Sequence, residues 1–199
     1  MKKIILIVLC LLLFTGCTIV RIDTDNIDNI IDVVLSKNNK LYNRVGKGYK
    51  YYVPRGMSYI DTTELNDKLY SNGYYYYLYI DVISYYNKIA FIYKENKDAY
   101  YSRYIDINGQ EGYLEINKVN DRYLIEFMYN YAKIEAMVYE DDINDVILNS
   151  TYILSTIKFN NNVIKLMLND EYFVNKEEKY DIFTSRVENT DNLKYDTNE

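Results

Sequence analysis

The chain has 199 residues, a formal net charge of −6 and no histidine or tryptophan. Those counts exclude a Ser-His-Asp triad, a Cys-His pair, His-ligated zinc and an imidazole general base. The negative balance argues against nucleic acid as a partner, because backbone binding needs clustered Lys and Arg.

The amino terminus carries the most specific signal. Lys2 and Lys3 precede an unbroken apolar run from Ile4 to Phe14, too short to span a bilayer as a free-standing helix. Thr15-Gly16 then supplies small residues before Cys17. A basic start, a short apolar run and a small-residue end form a secretory signal rather than core structure. The ending Leu13-Phe14-Thr15-Gly16-Cys17 resembles the bacterial lipobox, with Phe14 where that family most often has Leu. The resemblance implies cleavage before Cys17, diacylglycerol on its sulfur and attachment to the cell membrane on the extracytoplasmic side. Acyl chains would then hold the protein there, at about 0.8 kcal/mol per buried CH₂. Cys10 would leave with the signal, so the remaining 183 residues would carry a net charge of −8 with no free thiol and no disulfide. A domain that acidic is not expected to cling to anionic lipid by charge, which leaves the lipid anchor as the membrane contact.

Residues 1–16 therefore read as signal peptide, 17–23 as lipidated tether, 24–184 as one α+β domain and 185–199 as a disordered tail. The first helix is expected from Thr24, as N-cap, to Ser36, because Ile27, Ile30, Ile31, Val34 and Leu35 form one apolar stripe. From Gly48 the period changes to two. Strands are expected at Lys50 to Val53 and Met57 to Ile60, with Thr62 to Tyr70 a helical turn or irregular. Asn72-Gly73 is a type I′ hairpin signal. Tyr74 to Ile83 is apolar on both faces apart from Asp81, the pattern of a central covered strand. Further strands are expected at Ile89 to Tyr93, Ala99 to Ile107, Gly112 to Lys118 and Arg122 to Asn130, with Ile134 to Tyr139 closing an antiparallel meander. Asp141 or Asp142 should cap a helix to Ile157, and a short helix should run from Asn162 to Leu168. Helices before and after the strands predict an α+β fold, with the sheet flanked by an N-terminal and a C-terminal helix in an α/β/α sandwich. The strand series ending in Tyr129-Asn130-Tyr131, followed by a closing helix from Asp142 to Phe159, resembles the PsbP-like fold. That resemblance implies an antiparallel sheet between helices and an accessory or binding role. It would not fix a function, because folds host many.

Chemical motifs are sparse. Ser155-Thr156-Ile157-Lys158 has the S-x-x-K spacing of penicillin-binding proteins, but the chain has no S-D-N and no K-T-G. Asp23, Asp25 and Asp28 fail the EF-hand pattern, as does Asp106 to Glu111. Glu140, Asp141, Asp142 and Asp145 read as acids at a helix N-terminus. No cofactor, no metal site and no catalytic residue are expected. The 26 tyrosines suit sheet faces, and an AT-rich genome would enrich them without a functional demand. Tyr85, Tyr86, Tyr100 and Tyr101, nearer strand ends and loops, are the candidates for a ligand-binding patch that stacks on sugar rings or anchors a protein partner. The expectation is a non-enzymatic, membrane-anchored binding or accessory domain at the cell envelope, with a protein or glycan ligand. The alternatives are a carboxylate-based envelope hydrolase, which needs two acids facing each other in one cleft, and a structural or chaperone-like accessory subunit.

Overall fold

A computed structural model of the chain describes residues 21–63 and 65–169. The signal segment, Cys17 and the expected tail lie outside the described residues. The fold is α+β, as the alternation of periods predicts. Helix α1 (Ile27–Leu35) leads into a small sheet made of β1 (Arg44–Val45), β2 (Tyr49–Tyr51) and β10 (Lys158–Phe159). The large sheet comprises β3 (Ser58–Thr63), β4 (Asn66–Ser71), β5 (Tyr74–Ile80), β6 (Tyr101–Ile107), β7 (Gln110–Val119), β8 (Arg122–Tyr129) and β9 (Ala132–Val138). Helix α2 (Val82–Asn87) follows β5, α3 (Ile143–Ser155) follows β9, and α4 (Asn161–Asn169) follows β10. No described helix is long and apolar enough to cross a membrane.

The large sheet is antiparallel throughout, in the order β3-β4-β5-β9-β8-β7-β6. It consists of two meanders fused along β5 and β9. The strand at Ala132–Val138 therefore lies inside the sheet, and β3 and β6 form its edges. Turn chemistry sets the registers. Asn72 (φ 51°) and Gly73 (φ 88°) close β4 onto β5, and Asn108 (φ 57°) and Gly109 (φ 69°) close β6 onto β7. Gly112 has a different reason: a Cβ there would lie 2.1 Å from the Met128 carbonyl oxygen, so β7 and β8 can approach only without one.

One face of the sheet holds the main core. Tyr76, Leu78, Leu114, Ile116, Ile125, Phe127, Ile134 and Ala136 are all buried there. Helices α1 and α3 pack side by side on that face, through Ile30, Ile31 and Leu35 of one and Val146, Ile147 and Leu154 of the other. The layer on the opposite face is supplied not by a helix but by residues 88–100. That segment lays Phe91 and Tyr93 over Tyr113 and Met128.

Several boundaries differ from expectation. The first helix starts at Ile27, because Asn26 and not Thr24 caps it, accepting the Asn29 N–H at 3.0 Å. Thr62 and Thr63 end β3 and Asn66 to Tyr70 belong to β4, not to a helix: β4 pairs with both β3 and β5, and its inward positions include the polar Asp67 and Ser71, which hid the alternation. The Tyr74 strand stops at Ile80, because Asp81 accepts the Ser84 N–H at 2.8 Å and starts α2. Ile89 to Tyr93 has strand periodicity but no ladder partner. The neighbouring Glu95 carboxylate takes the Tyr104 N–H instead, and the Ser102 hydroxyl takes the Asn96 N–H.

Candidate functional site

A polar cleft lies where α2 meets two hairpin tips. It measures about 520 Å³, within the range of ligand sites. Helix α2 supplies Tyr85, and its left-handed C-cap supplies Lys88 (φ 53°). The β6–β7 hairpin supplies Asp106, Gln110 and Glu111. The β8–β9 hairpin supplies Asn130 and Tyr131, and Phe91 and Met128 form the floor. Three aromatic rings thus face a set of carboxylates and amides. Asp106 and Glu111 are direct cross-strand partners, which sets their Cα atoms about 4.5–5.5 Å apart.

The β8–β9 turn is strained. Asn130 (φ 52°) and Tyr131 (φ 58°) both adopt left-handed backbone. Asn tolerates this conformation, but a bulky tyrosine pays of order 1–3 kcal/mol for it. The two other hairpins with left-handed backbone at both turn positions use Asn-Gly. Tyr131 is held in place from several sides. Its carbonyl accepts the Asp81 N–H at 2.9 Å, its hydroxyl donates to the Ile89 carbonyl at 3.3 Å, and its ring meets the Tyr85 ring edge-on at 5.7 Å. Asn130 donates from its side chain to the Ile157 carbonyl at 3.2 Å, and its N–H donates to the Glu111 carbonyl at 3.1 Å. Burial at the start of α2 pushes the Asp81 carboxyl above the usual range, against the pull of its bonds to Ser84.

The floor of the cleft separates it from a buried ionic row. Met128 is flanked across the sheet by Tyr113 on β7 and Lys133 on β9. In the adjacent row Glu115, Glu126 and Glu135 stand directly opposite one another on β7, β8 and β9. All three are buried, as is Lys133, whose ammonium lies 2.5 Å from Glu135 and 3.9 Å from Glu126. Glu115 accepts hydrogen bonds from Tyr93, Asn96 and Asn117, at 2.5, 3.2 and 2.8 Å. Glu115 thereby fastens the covering segment to the sheet. The Tyr113 hydroxyl is buried with no hydrogen-bond partner, and burial first, then the neighbouring carboxylates, hold its ionisation well above the ordinary phenol range. Among the described residues no cluster of His, Cys, Asp or Glu is arranged to hold a metal ion.

The four tyrosines singled out in the sequence do not form one patch. Tyr85 lines the cleft, stacked on Phe159 at 3.9 Å with the Lys88 ammonium 3.9 Å over its ring. Tyr86 is half-buried against the core. Tyr100 is exposed and meets Tyr123 edge-on at 4.7 Å. Tyr101 donates its hydroxyl to Asp28 at 2.6 Å, next to Arg103, which bonds Asp28 and Asp32 at 2.9 and 2.6 Å and ties β6 to α1. Asp28 is therefore engaged in an ion pair. At the other candidate motifs, Ser155 donates its hydroxyl to the Tyr152 carbonyl at 2.8 Å, and Asp142 accepts the Tyr74 hydroxyl at 2.5 Å.

No protein-family model, curated protein or solved structure matches the chain. Its chemistry is read from its own geometry. Of the cleft residues only Tyr85 was a binding candidate from sequence, and Tyr131 is the one among the others with a signal of its own. The available signal was its position: Asn130-Tyr131 occupies a two-residue hairpin turn where glycine is favoured.

Proposed function

We propose that this protein is a membrane-anchored extracytoplasmic lipoprotein whose domain binds a glycan in the cleft between α2 and the β6–β7 and β8–β9 tips. The strained Tyr131 carries the binding reading. Left-handed backbone at a bulky residue persists where the surroundings over-determine it, and such residues cluster at ligand sites. Here the strain presents a ring beside Tyr85 and Phe91, in a cleft also lined by Asp106, Gln110, Glu111 and Asn130. A saccharide offers a flat apolar ring face for the aromatic side chains. Its adjacent hydroxyls suit carboxylates and amides that can each make more than one hydrogen bond.

Changing Tyr131 to Gly separates function from stability. Glycine relieves the left-handed strain, so thermal unfolding should stay within a few degrees of the parent. Binding of soluble peptidoglycan fragments or a glycan-array hit should fall by roughly tenfold or more, as expected for losing one buried aromatic contact of about 1.5 kcal/mol. Unchanged binding with unchanged stability would remove the cleft as the site.

Anchoring has a separate test. The lipobox at Leu13 to Cys17 supports it. Cys17→Ala should abolish incorporation of labelled palmitate and shift the chain from the membrane to the soluble fraction, or leave it uncleaved. Normal processing and labelling of that variant would refute the anchor. A second reading, the carboxylate hydrolase, is favoured by the Asp106–Glu111 pair lining one cleft. It predicts that a bound glycan is shortened over time and that Glu111→Gln stops this.

A further inference from the structure

The 29 acidic residues give the chain its negative balance, but they are unevenly placed. From Val33 to Ile60 there is no Asp or Glu, against Lys37, Lys40, Arg44, Lys47, Lys50 and Arg55. From Val146 to Asn169 there is again none, against Lys158 and Lys165. The fold brings these two acid-free stretches together. Strand β2 pairs with β1 on one side and with β10 on the other, which aligns Val45, Lys50 and Lys158 in one cross-strand row. Tyr49 and Tyr51 turn inward from β2, so Lys50 and its row form the outer face. Like charges directly opposite each other are unfavourable in isolation, and Lys50 and Lys158 are such a pair.

Around that row the surface is apolar and basic at once. A groove of about 390 Å³ is lined by Val45, Lys50, Lys158, Phe159 and Val163, with no carboxylate among its described lining residues. A neighbouring groove joins Lys158 to Lys37, also without a carboxylate among its described lining residues. Val45 is 75% exposed, Leu166 64% and Leu41 58%. Helix α4 buries Ile164 against the core and leaves Val163, Lys165 and Leu166 outward. The Lys50 ammonium lies 3.9 Å over the exposed Tyr42 ring. Exposed aliphatic and tyrosine side chains among lysines, with no acid among the described residues of the patch, match a bilayer interface on two counts. The apolar groups partition below the headgroups, and the cations meet anionic phosphates.

We propose that the outer face of the small sheet and the exposed side of α4 form a docking surface for anionic lipid headgroups. Net charge argues against such a contact, and charge placement argues for it. The surface does not need acylation of Cys17, because the readout is the charge of the lipid and not the presence of a membrane.

The test uses the purified full-length chain in vesicles of phosphatidylcholine alone or with about one-third phosphatidylglycerol, followed by amide hydrogen exchange. Residues 41–50 and 158–168 should exchange roughly fivefold more slowly in the anionic vesicles, with α3 as an unchanged internal reference. Raising salt to about 0.5 M should erase the difference, because the Debye length then shrinks below the thickness of the contact. Lys50→Gln with Lys158→Gln should erase it too. Should that pair fail to fold by circular dichroism, Lys37→Gln with Lys165→Gln, at exposed positions outside the sheet, serves instead. Equal exchange in both lipids, or a difference that survives high salt and the lysine changes, overturns the proposal. A Cys17→Ala chain that is no longer lipidated but keeps the lipid-charge effect separates failure of the anchor from failure of this surface.

Discussion

Lys133→Met should destabilise the protein by about 3–5 kcal/mol, the scale for removing one partner of a buried ion pair. The lysine is 2% exposed and reaches Glu135 at 2.5 Å and Glu126 at 3.9 Å. Without it, three glutamates stand in line across β7, β8 and β9 with no buried cation beside them. Like charges directly opposite each other in a sheet repel, and a buried setting screens the repulsion poorly. For a chain of this length the loss corresponds to a fall in Tm of roughly 10 °C. Urea or thermal unfolding measures it. Combining Lys133→Met with Glu126→Gln and Glu135→Gln should recover much of the loss, since it removes the stranded charges along with their partner. A single variant within about 1 kcal/mol of the parent would show that the row is not held by charge pairing.

Asp67→Ala should cost about 3 kcal/mol, because one carboxylate serves three phenols. Tyr51 donates to it at 2.6 Å, Tyr49 at 3.3 Å and Tyr59 at 3.2 Å. Asp67 sits on β4 and two of its donors sit on β2, so the loss falls on the joint between the two sheets. The same cluster predicts behaviour at high pH. Burial first, then Asp67, raises the ionisation of Tyr49 and Tyr51 above the ordinary phenol value of about 10. A group whose folded pKa is raised contributes stability that is full below its unfolded pKa and lost as pH climbs above it. The protein should therefore lose stability above about pH 10, and the tyrosinate absorbance of these residues should rise only together with unfolding. The part of the tyrosinate signal that is lost when Tyr49 and Tyr51 are changed to Phe reports these two, and its appearance while circular dichroism remains native would contradict this. Loss of the β2–β10 pairing in Asp67→Ala, read as faster amide exchange at residues 49–51, distinguishes a weakened joint from a general loss of core.

Much of this was legible in the residues, and the gaps have identifiable causes. Periodicity marked α1, α3 and most strands, because each buries one regular stripe. The segment from Asn66 to Ser71 escaped because its inward positions hold Asp67 and Ser71, which satisfy phenols or pack at the rim instead of supplying apolar surface. The acid row was available in principle. Glu115 and Glu126 lie equally far from the Asn120-Asp121 turn, and Glu126 and Glu135 equally far from Asn130-Tyr131, so two-residue turns oblige them to face one another. Strand order was not available, because neither meander states which strand of the other it will join. The cleft was half visible: Tyr85 was among the candidates, but Tyr131 is notable only for a backbone angle. The charge balance is a sum over the chain and conceals two acid-free stretches that meet only after folding.

The interior place of β9 has a consequence for timing. The first meander, β3 to β5, finishes at Ile80, yet the edge of β5 stays open until Ala132–Val138 has been delivered. Closure joins Tyr77–Ile80 to Ala132–Glu135, a long loop to gather before any reward. A chain made from its amino terminus cannot complete this sheet until residues beyond 130 have been synthesised. The topology thus leaves the β5 edge unpaired until one late strand arrives.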